Sequence, residues 1–263
     1  MVYTSTRRAT AGSEASFRAA LPRGGERPGV AAYLEIEEEL ADRIESGNFP
    51  AGTRLPGERD LARHLGVSRM TVRQALTRLE QRGLIVRQRG RGTFVAEPKL
   101  RHDATILRGF FEQMVGQGVF PVSRCIAKEE LPASAAIAQI LHVRLGEPIY
   151  KVVRVRSANE HPIVLETSYF PARIVPGLVD LDLERSSIYR LMERRYGARP
   201  TRAVQSLEPV VAEPVEAGLL RVPVGSPLML VERTAWDGRG RAVEHARDLY
   251  RGDRSRFVTE LRL

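Results

Sequence analysis

Arg69 and Arg73 stand four residues apart in the run SRMTVRQAL (68–76), with Ser68, Thr71 and Gln74 beside them. On a helix that spacing puts both arginines on one face. A guanidinium can pair two N–H donors with O6 and N7 of guanine, or it can hold a phosphate. The hydroxyls of Ser68 and Thr71 suit phosphate oxygens. Further along, Arg87, Arg89 and Arg91 surround Gly90 and Gly92. Bare glycines let the backbone come close to a groove, and the arginines supply charge for a minor groove or its phosphates. Two arginines four apart are by themselves ordinary solvated surface. Their place at the start of a capped helix is what gives them meaning.

Other chemistry is thin. The five histidines (His64, His102, His142, His161, His245) include no pair at helical ligand spacing. Cys125 is the one cysteine, so an intramolecular disulfide and a multi-cysteine metal cluster are excluded. No nucleophile–base pairing stands out, and no cofactor or metal is expected.

The arginine pair needs a frame. Tyr33, Ile36, Leu40 and Ile44 mark a first amphipathic helix that ends near Gly47. Gly57–Leu65 reads as a second helix with Leu61, Ala62 and Leu65 inward, and Gly66 breaks it. Ser68 caps a third helix running to about Gly83, whose inner face is Val72, Ala75, Leu76 and Leu79. Ile85, Val86, Phe94 and Val95 flank a glycine turn and read as a hairpin. Three helices and a hairpin make a winged helix-turn-helix, whose turn is His64-Leu65-Gly66-Val67. In that arrangement the second helix of the pair enters the major groove N-terminus first.

Charge agrees with this. The chain has 263 residues, with 41 basic and 32 acidic, net +9, and 38 of the basic residues are arginine. Residues 53–95 hold ten arginines against Glu58, Asp60 and Glu80, or +7 in 43 residues. Residues 99–263 hold 25 basic and 20 acidic residues, or +5 in 165. Charge concentrated in a small domain is the footprint of a polyanion binder. No apolar run approaches the roughly 18 residues of a membrane span, and the first 30 residues show no secretory pattern. A cytoplasmic protein without a membrane partner is expected.

Residues 1–29 read as a disordered basic tail, 30–95 as the DNA-binding domain and 96–103 (AEPKLRHD) as a linker. From 104 to 263 the texture is strand-rich. Strands are expected over 122–130, 149–158, 163–171, 202–211, 228–236, 242–250 and 257–261. Helices are expected over 107–116, 132–141, 186–196 and 214–220. The class is α+β, with no internal repeat visible. Apolar surface around Leu228–Val231 is the candidate interface for a homodimer, since two-fold pairing would mirror a palindromic operator.

LPGERDLARHLGVSRMTVRQALTRLEQRGLIVRQRGRGTFV (55–95) resembles the DNA-binding domain of the GntR family of bacterial repressors. Gly57 stands where the family pattern has serine. The resemblance implies DNA contact by Arg59, Ser68, Arg69, Thr71, Arg73 and the wing residues Arg89, Gly90, Arg91 and Gly92. The 165 residues that follow are too few for the aminotransferase-like subfamily, and the histidine pattern does not fit the helical metal-binding one. RVRSAN (154–159), PIVLETSYFPA (162–172), SSIYRLM (186–192) and VEHARDLYRGDRSRFV (243–258) resemble instead the antiparallel-sheet UTRA effector domain of the HutC-type subfamily, which has a chorismate-lyase-like fold. Within it they look most like regulators responding to N-acetylglucosamine 6-phosphate or glucosamine 6-phosphate.

That resemblance implies an effector pocket of Arg154, Arg156, Glu166, Ser187, Tyr189, Glu244 and Tyr250. Its chemistry is coherent. Forked guanidinium donors suit a phosphate, and strand alternation puts Arg154 and Arg156 on one face. Glu166 and Glu244 can accept from sugar hydroxyls or an amine, and Tyr250 can pack against a ring. Arg154 and Glu166 can equally pair across strands. Where the sugar-phosphate sensors carry small hydroxyl residues, this chain has Leu107-Arg108-Gly109-Phe110-Phe111, so Arg108 and the Gly109 N–H are the phosphate donors there. The leading reading is a repressor released by a small anion. An enzyme of chorismate-lyase-like fold acting on a small anion is the alternative, and a purely charge-driven architectural DNA binder is a third.

Overall fold

The computed structural model describes residues 31–88, 90–158 and 161–261. The expected tail over 1–29, and the wing residue Arg89, lie outside them. The chain divides into two compact units, one ending at Pro98 and one beginning at Lys99.

The first unit runs α1 (Ala32–Glu45), β1 (Arg54–Leu55), α2 (Glu58–Leu65), α3 (Arg69–Gln81), β2 (Ile85–Gln88) and β3 (Gly92–Val95). Ser68 caps α3 as expected, its Oγ accepting from Thr71 N at 3.1 Å. Gly66 closes α2 at φ +69°, a left-handed geometry that favours glycine. The inner faces of the three helices bury Leu40, Leu61, Leu76 and Leu79 in one core. β1 adds to the hairpin in the order β1-β3-β2. Two residues carry no periodicity, so β1 was not legible.

The second unit runs β4 (Leu100–Asp103), α4 (Phe110–Val115), β5 (Pro121–Pro132), α5 (Ala135–Leu141), β6 (Pro148–Ala158), β7 (His161–Pro171), a 3-10 turn, α6 (Ile188–Tyr196), β8 (Pro200–Val211), α7 (Pro214–Leu220), β9 (Pro227–Asp237), β10 (Ala242–Arg251) and β11 (Ser255–Val258). Six strands form one antiparallel sheet in the order β5-β6-β7-β10-β9-β8. β4 and β11 form a separate parallel pair.

Three expectations are corrected. The segment 96–103 is not all linker: Leu100–Asp103 is a strand of the second unit, paired with β11, and His102 is buried within it. Its partner lies near the other end of the chain, so no local pattern announces the pairing. Leu228–Val231 is not exposed. It sits in β9 between β10 and β8, with Leu228, Leu230 and Val231 buried.

Third, the unit does contain a repeat. β5-α5-β6-β7 and β8-α7-β9-β10 are two strand–helix–strand–strand halves that meet at β7 and β10. His142 and Arg221 both end their helices in the left-handed region, at φ 52° and 54°. In the first half Ala133 N donates to Glu147 O, and Gly146 N donates to Ala133 O. In the second, Ala212 N donates to Ser226 O, and Gly225 N donates to Ala212 O. At a spacing of 79 residues the halves share Ala133/Ala212, Ala138/Ala217, Leu141/Leu220, Val143/Val222, Gly146/Gly225, Pro148/Pro227, Val152/Val231 and Arg154/Arg233, a handful of matches spread among dissimilar side chains.

Candidate functional site

On α3, Ser68, Arg69, Arg73 and Gln74 are exposed, Thr71 is half-buried, and Val72, Ala75, Leu76 and Leu79 are buried. The expected two-sided helix is present. Its arginines differ. Arg73 donates to Glu58 on α2, Nη2 at 2.8 Å and Nε at 3.1 Å. That bond holds the Glu58 carboxyl below the usual carboxylate range. Arg87 reaches the Thr77 hydroxyl and the Arg73 carbonyl, so it braces the wing against α3. Arg78 and Arg82 both bond the buried Glu37 of α1. Much of the basic excess is therefore spent inside the unit. Arg59, Arg69 and Arg91 are exposed and make no ion pair among the described residues. Gly90 and Gly92 turn the wing at φ +75° and +116°. A Cβ at Gly92 would also lie 3.1 Å from Arg54 Nε.

In the second unit the expected effector residues gather on one face of the sheet. Arg154 on β6 stands opposite Glu166 on β7, which stands opposite Asp248 on β10. Arg154 Nη2 donates to Glu166 at 2.6 Å and Arg156 Nη1 at 3.1 Å, so the cross-strand pairing is real and three-membered. Arg154 Nη1 also donates to Leu183 O. Tyr189 on α6 donates to Glu244 at 2.6 Å. Arg233 on β9 lies 3.9 Å from Glu244 and 3.4 Å from Asp248. Ser187 caps α6, and a Cβ at Gly109 would sit 3.5 Å from its Oγ. That Cβ would also lie 2.6 Å from a Glu112 oxygen, so a hydroxyl side chain at 109 would have to displace Glu112. The Arg156 guanidinium lies over the Phe110 ring, 4.7 Å from its centroid. Arg108 stands apart from the cluster, exposed and lining a cavity of about 410 Å³.

Burial sets the charge of this cluster. It holds the Asp248 proton on well above the usual carboxylate range. Burial also opposes the Glu166 charge, but Arg154 and Arg156 outweigh it and keep that pKa low. Burial raises both Tyr189 and Tyr250. Three guanidinium groups thus face Glu166, Glu244 and Asp248, and burial favours the uncharged form of Asp248, which makes the surroundings more favourable to an anion. Beside the cluster lies a cavity of about 450 Å³ bordered by Arg233, Tyr250, His102 and Gln205. Of the effector residues expected from sequence, Tyr250 alone borders it.

Residues 32–95 match the family described as bacterial regulatory proteins, gntR family, and residues 116–256 match the UTRA domain. The HTH-type transcriptional repressor NagR of Bacillus subtilis (strain 168) is 39% identical over 229 residues, 87% of this chain and 94% of that protein. The chain belongs to the gntR family. A histidine utilization repressor of Pseudomonas putida is 32% identical over 89% of this chain and 92% of its own. Among solved structures, PhnF from Mycobacterium smegmatis superposes with a TM-score of 0.63 at 32% identity, covering 86% of this chain and 99% of that one.

Sequence reasoning on this gntR-family regulator missed Arg233, Asp248 and His102. The repeat was the signal for Arg233: in the two halves Gly146-Glu147-Pro148 precedes Arg154 as Gly225-Ser226-Pro227 precedes Arg233. His102 is 2% exposed and packed between Tyr250 (4.7 Å between ring centroids) and Phe257 (5.0 Å). Burial pushes its pKa down to about 4, despite the nearby Gln113 amide. An unfolded histidine titrates near 6.5, so the unfolded chain binds the extra proton between those values. Stability from the neutral ring is complete above pH 6.5 and lost as pH falls toward 4, by about 2 kcal/mol at pH 5. Denaturant melts of wild type and His102→Gln at pH 7 and pH 5 measure this as a difference. Equal pH slopes for the two proteins would exclude it.

Proposed function

We propose that this regulator is a one-component repressor whose second unit binds a small phosphorylated metabolite, such as an amino-sugar 6-phosphate, and so lowers operator affinity. The observation that carries the reading is the buried cluster of Arg154, Arg156 and Arg233 around Glu166, Glu244 and Asp248. A phosphate dianion finds forked donors there, and an amine or hydroxyl finds Glu166 and Glu244. The relatives named as repressors support a binding role rather than turnover, and a cytoplasmic place of action beside DNA.

We also read the protein as a homodimer on a palindromic operator, with half-sites about 34 Å apart or a multiple of that. A single winged helix reads too few base pairs for useful selectivity. Light scattering with and without operator tests it, and a monomer in both would overturn it.

Calorimetry against glucosamine 6-phosphate, N-acetylglucosamine 6-phosphate and the unphosphorylated sugars tests the effector class. Both phosphates are expected to bind, and the free sugars at least tenfold more weakly, about 1.4 kcal/mol. Coupling is reciprocal: an effector that loosens operator 100-fold is itself bound 100-fold more weakly by the DNA complex. If free sugars bind as well as the phosphates, the arginines do not serve a phosphate.

A further inference from the structure

Both ring nitrogens of His102 are buried and have no hydrogen-bond partner among the described residues. Among the same residues the buried Nε–H of Arg233 also lacks a hydrogen-bond partner. Both side chains border the same cavity of about 450 Å³. Buried polar groups without partners are rare in folded proteins, because each gives up its hydration for nothing. Two of them on one cavity point to a molecule that satisfies both. The nearest amide cannot satisfy the ring, since Gln113 gives Nε2 to Arg108 O at 3.2 Å and its carbonyl oxygen can serve at most one of the two nitrogens. Gln205 gives its amide N–H to Ala104 O, which leaves its carbonyl oxygen as an acceptor at the same cavity.

The ring is neutral at physiological pH, so one nitrogen donates and the other accepts. A hydroxyl is the complementary group, because it too donates and accepts. Arg233 Nε–H asks for a further acceptor. The occupant is therefore a hydroxylated, acceptor-rich fragment rather than an apolar one. Tyr250 supplies an aromatic edge for its carbon skeleton.

We propose that this cavity holds the hydroxylated end of the effector and that His102 is the residue that recognises it. The proposal rests on the effector reading above, with the anionic end on the neighbouring arginine cluster. It also gives the ligand a contact on β4, the strand that begins two residues after the DNA-binding unit ends at Pro98. His102 is held there by the parallel ladder, opposite Phe257.

The test uses the full-length protein, with glucosamine 6-phosphate and inorganic phosphate as probes. The ratio of their affinities is the readout. His102→Phe keeps the ring packing with Tyr250 and Phe257 but removes both nitrogens. It is expected to cut the preference for glucosamine 6-phosphate over phosphate roughly 10- to 100-fold, as for a lost hydrogen bond that strands its partner. His102→Gln, which keeps a donor and an acceptor, is expected to restore most of it. In the wild type, ¹⁵N ring resonances of His102 should move on saturation with glucosamine 6-phosphate and stay in place with phosphate. An unchanged ratio in His102→Phe, or unmoved ring resonances at saturation, overturns the proposal while leaving the anion reading intact. If phosphate binds and glucosamine 6-phosphate binds no better, His102 recognises no hydroxyl and the proposal fails alone. If neither probe binds at millimolar concentration, the anion reading fails and takes this proposal with it.

Discussion

Arg69→Ala combined with Arg73→Ala reduces operator binding to the level of non-specific DNA. Each lost bidentate base contact costs about 1–3 kcal/mol. In the proposed dimer, two arginines in each protomer make four contacts, on the order of 4–12 kcal/mol in all. The whole margin of specific over non-specific binding is typically about 4–10 kcal/mol. The two residues should not weigh equally. Arg69 is exposed and makes no ion pair among the described residues, whereas Arg73 must leave Glu58 to reach a base. Glu58→Gln weakens that competing hold and should raise operator affinity, with the gain vanishing in an Arg73→Ala background. Fluorescence anisotropy at physiological salt measures wild type, the two single arginine variants, their combination, and Glu58→Gln with and without Arg73→Ala. A different pattern identifies phosphate contact: affinity falls for every sequence alike and the salt slope flattens. Equal operator affinity for wild type and the double variant removes α3 from the recognition role.

The first unit was legible because its signals are local. Ser68 caps its own helix, Gly66 breaks the one before, and apolar spacing marks each inner face. The partners of Arg78 and Arg82 were not legible, since Glu37 reaches them from a helix about forty residues earlier in the chain. In the second unit strand alternation placed Arg154 and Arg156 together, and the strand pairing placed Glu166 opposite Arg154. Asp248 and Arg233 join that cluster through register across β10 and β9, which no single segment encodes. His102 was hidden for the same reason. Its burial depends on a parallel pairing with β11, and AEPKLRHD taken alone is a charged, proline-containing run.

The same cluster makes the sharpest stability contrast in the chain. Glu166→Gln leaves Arg154 and Arg156 buried without their shared counter-charge. Breaking a buried pair by removing one partner costs about 3–5 kcal/mol, a large share of a typical domain stability of about 5–15 kcal/mol. For a unit of this size Tm should fall by roughly 6–20 °C. Asp248→Asn is the control. Burial pushes the Asp248 pKa up and favours its neutral form, so replacement by the neutral amide should cost less than about 1 kcal/mol. The pH dependence separates the two acids again. Glu166 has a depressed pKa, so its contribution is present above the unfolded carboxylate range, near 4.3, and is lost as pH falls below it. Asp248 has a raised pKa, so its contribution is greatest while the unfolded group is still protonated and shrinks as pH climbs above that range. Calorimetric melts of the three proteins from pH 4 to pH 8 decide it. If Asp248→Asn is as damaging as Glu166→Gln, Asp248 is ionised and its charge counts against a phosphate at the cluster. The contrast also decides how the effector site is probed. Arg154→Ala leaves Glu166 with Arg156 alone and removes the donor to Leu183 O, so loss of effector response in that variant mixes folding with binding.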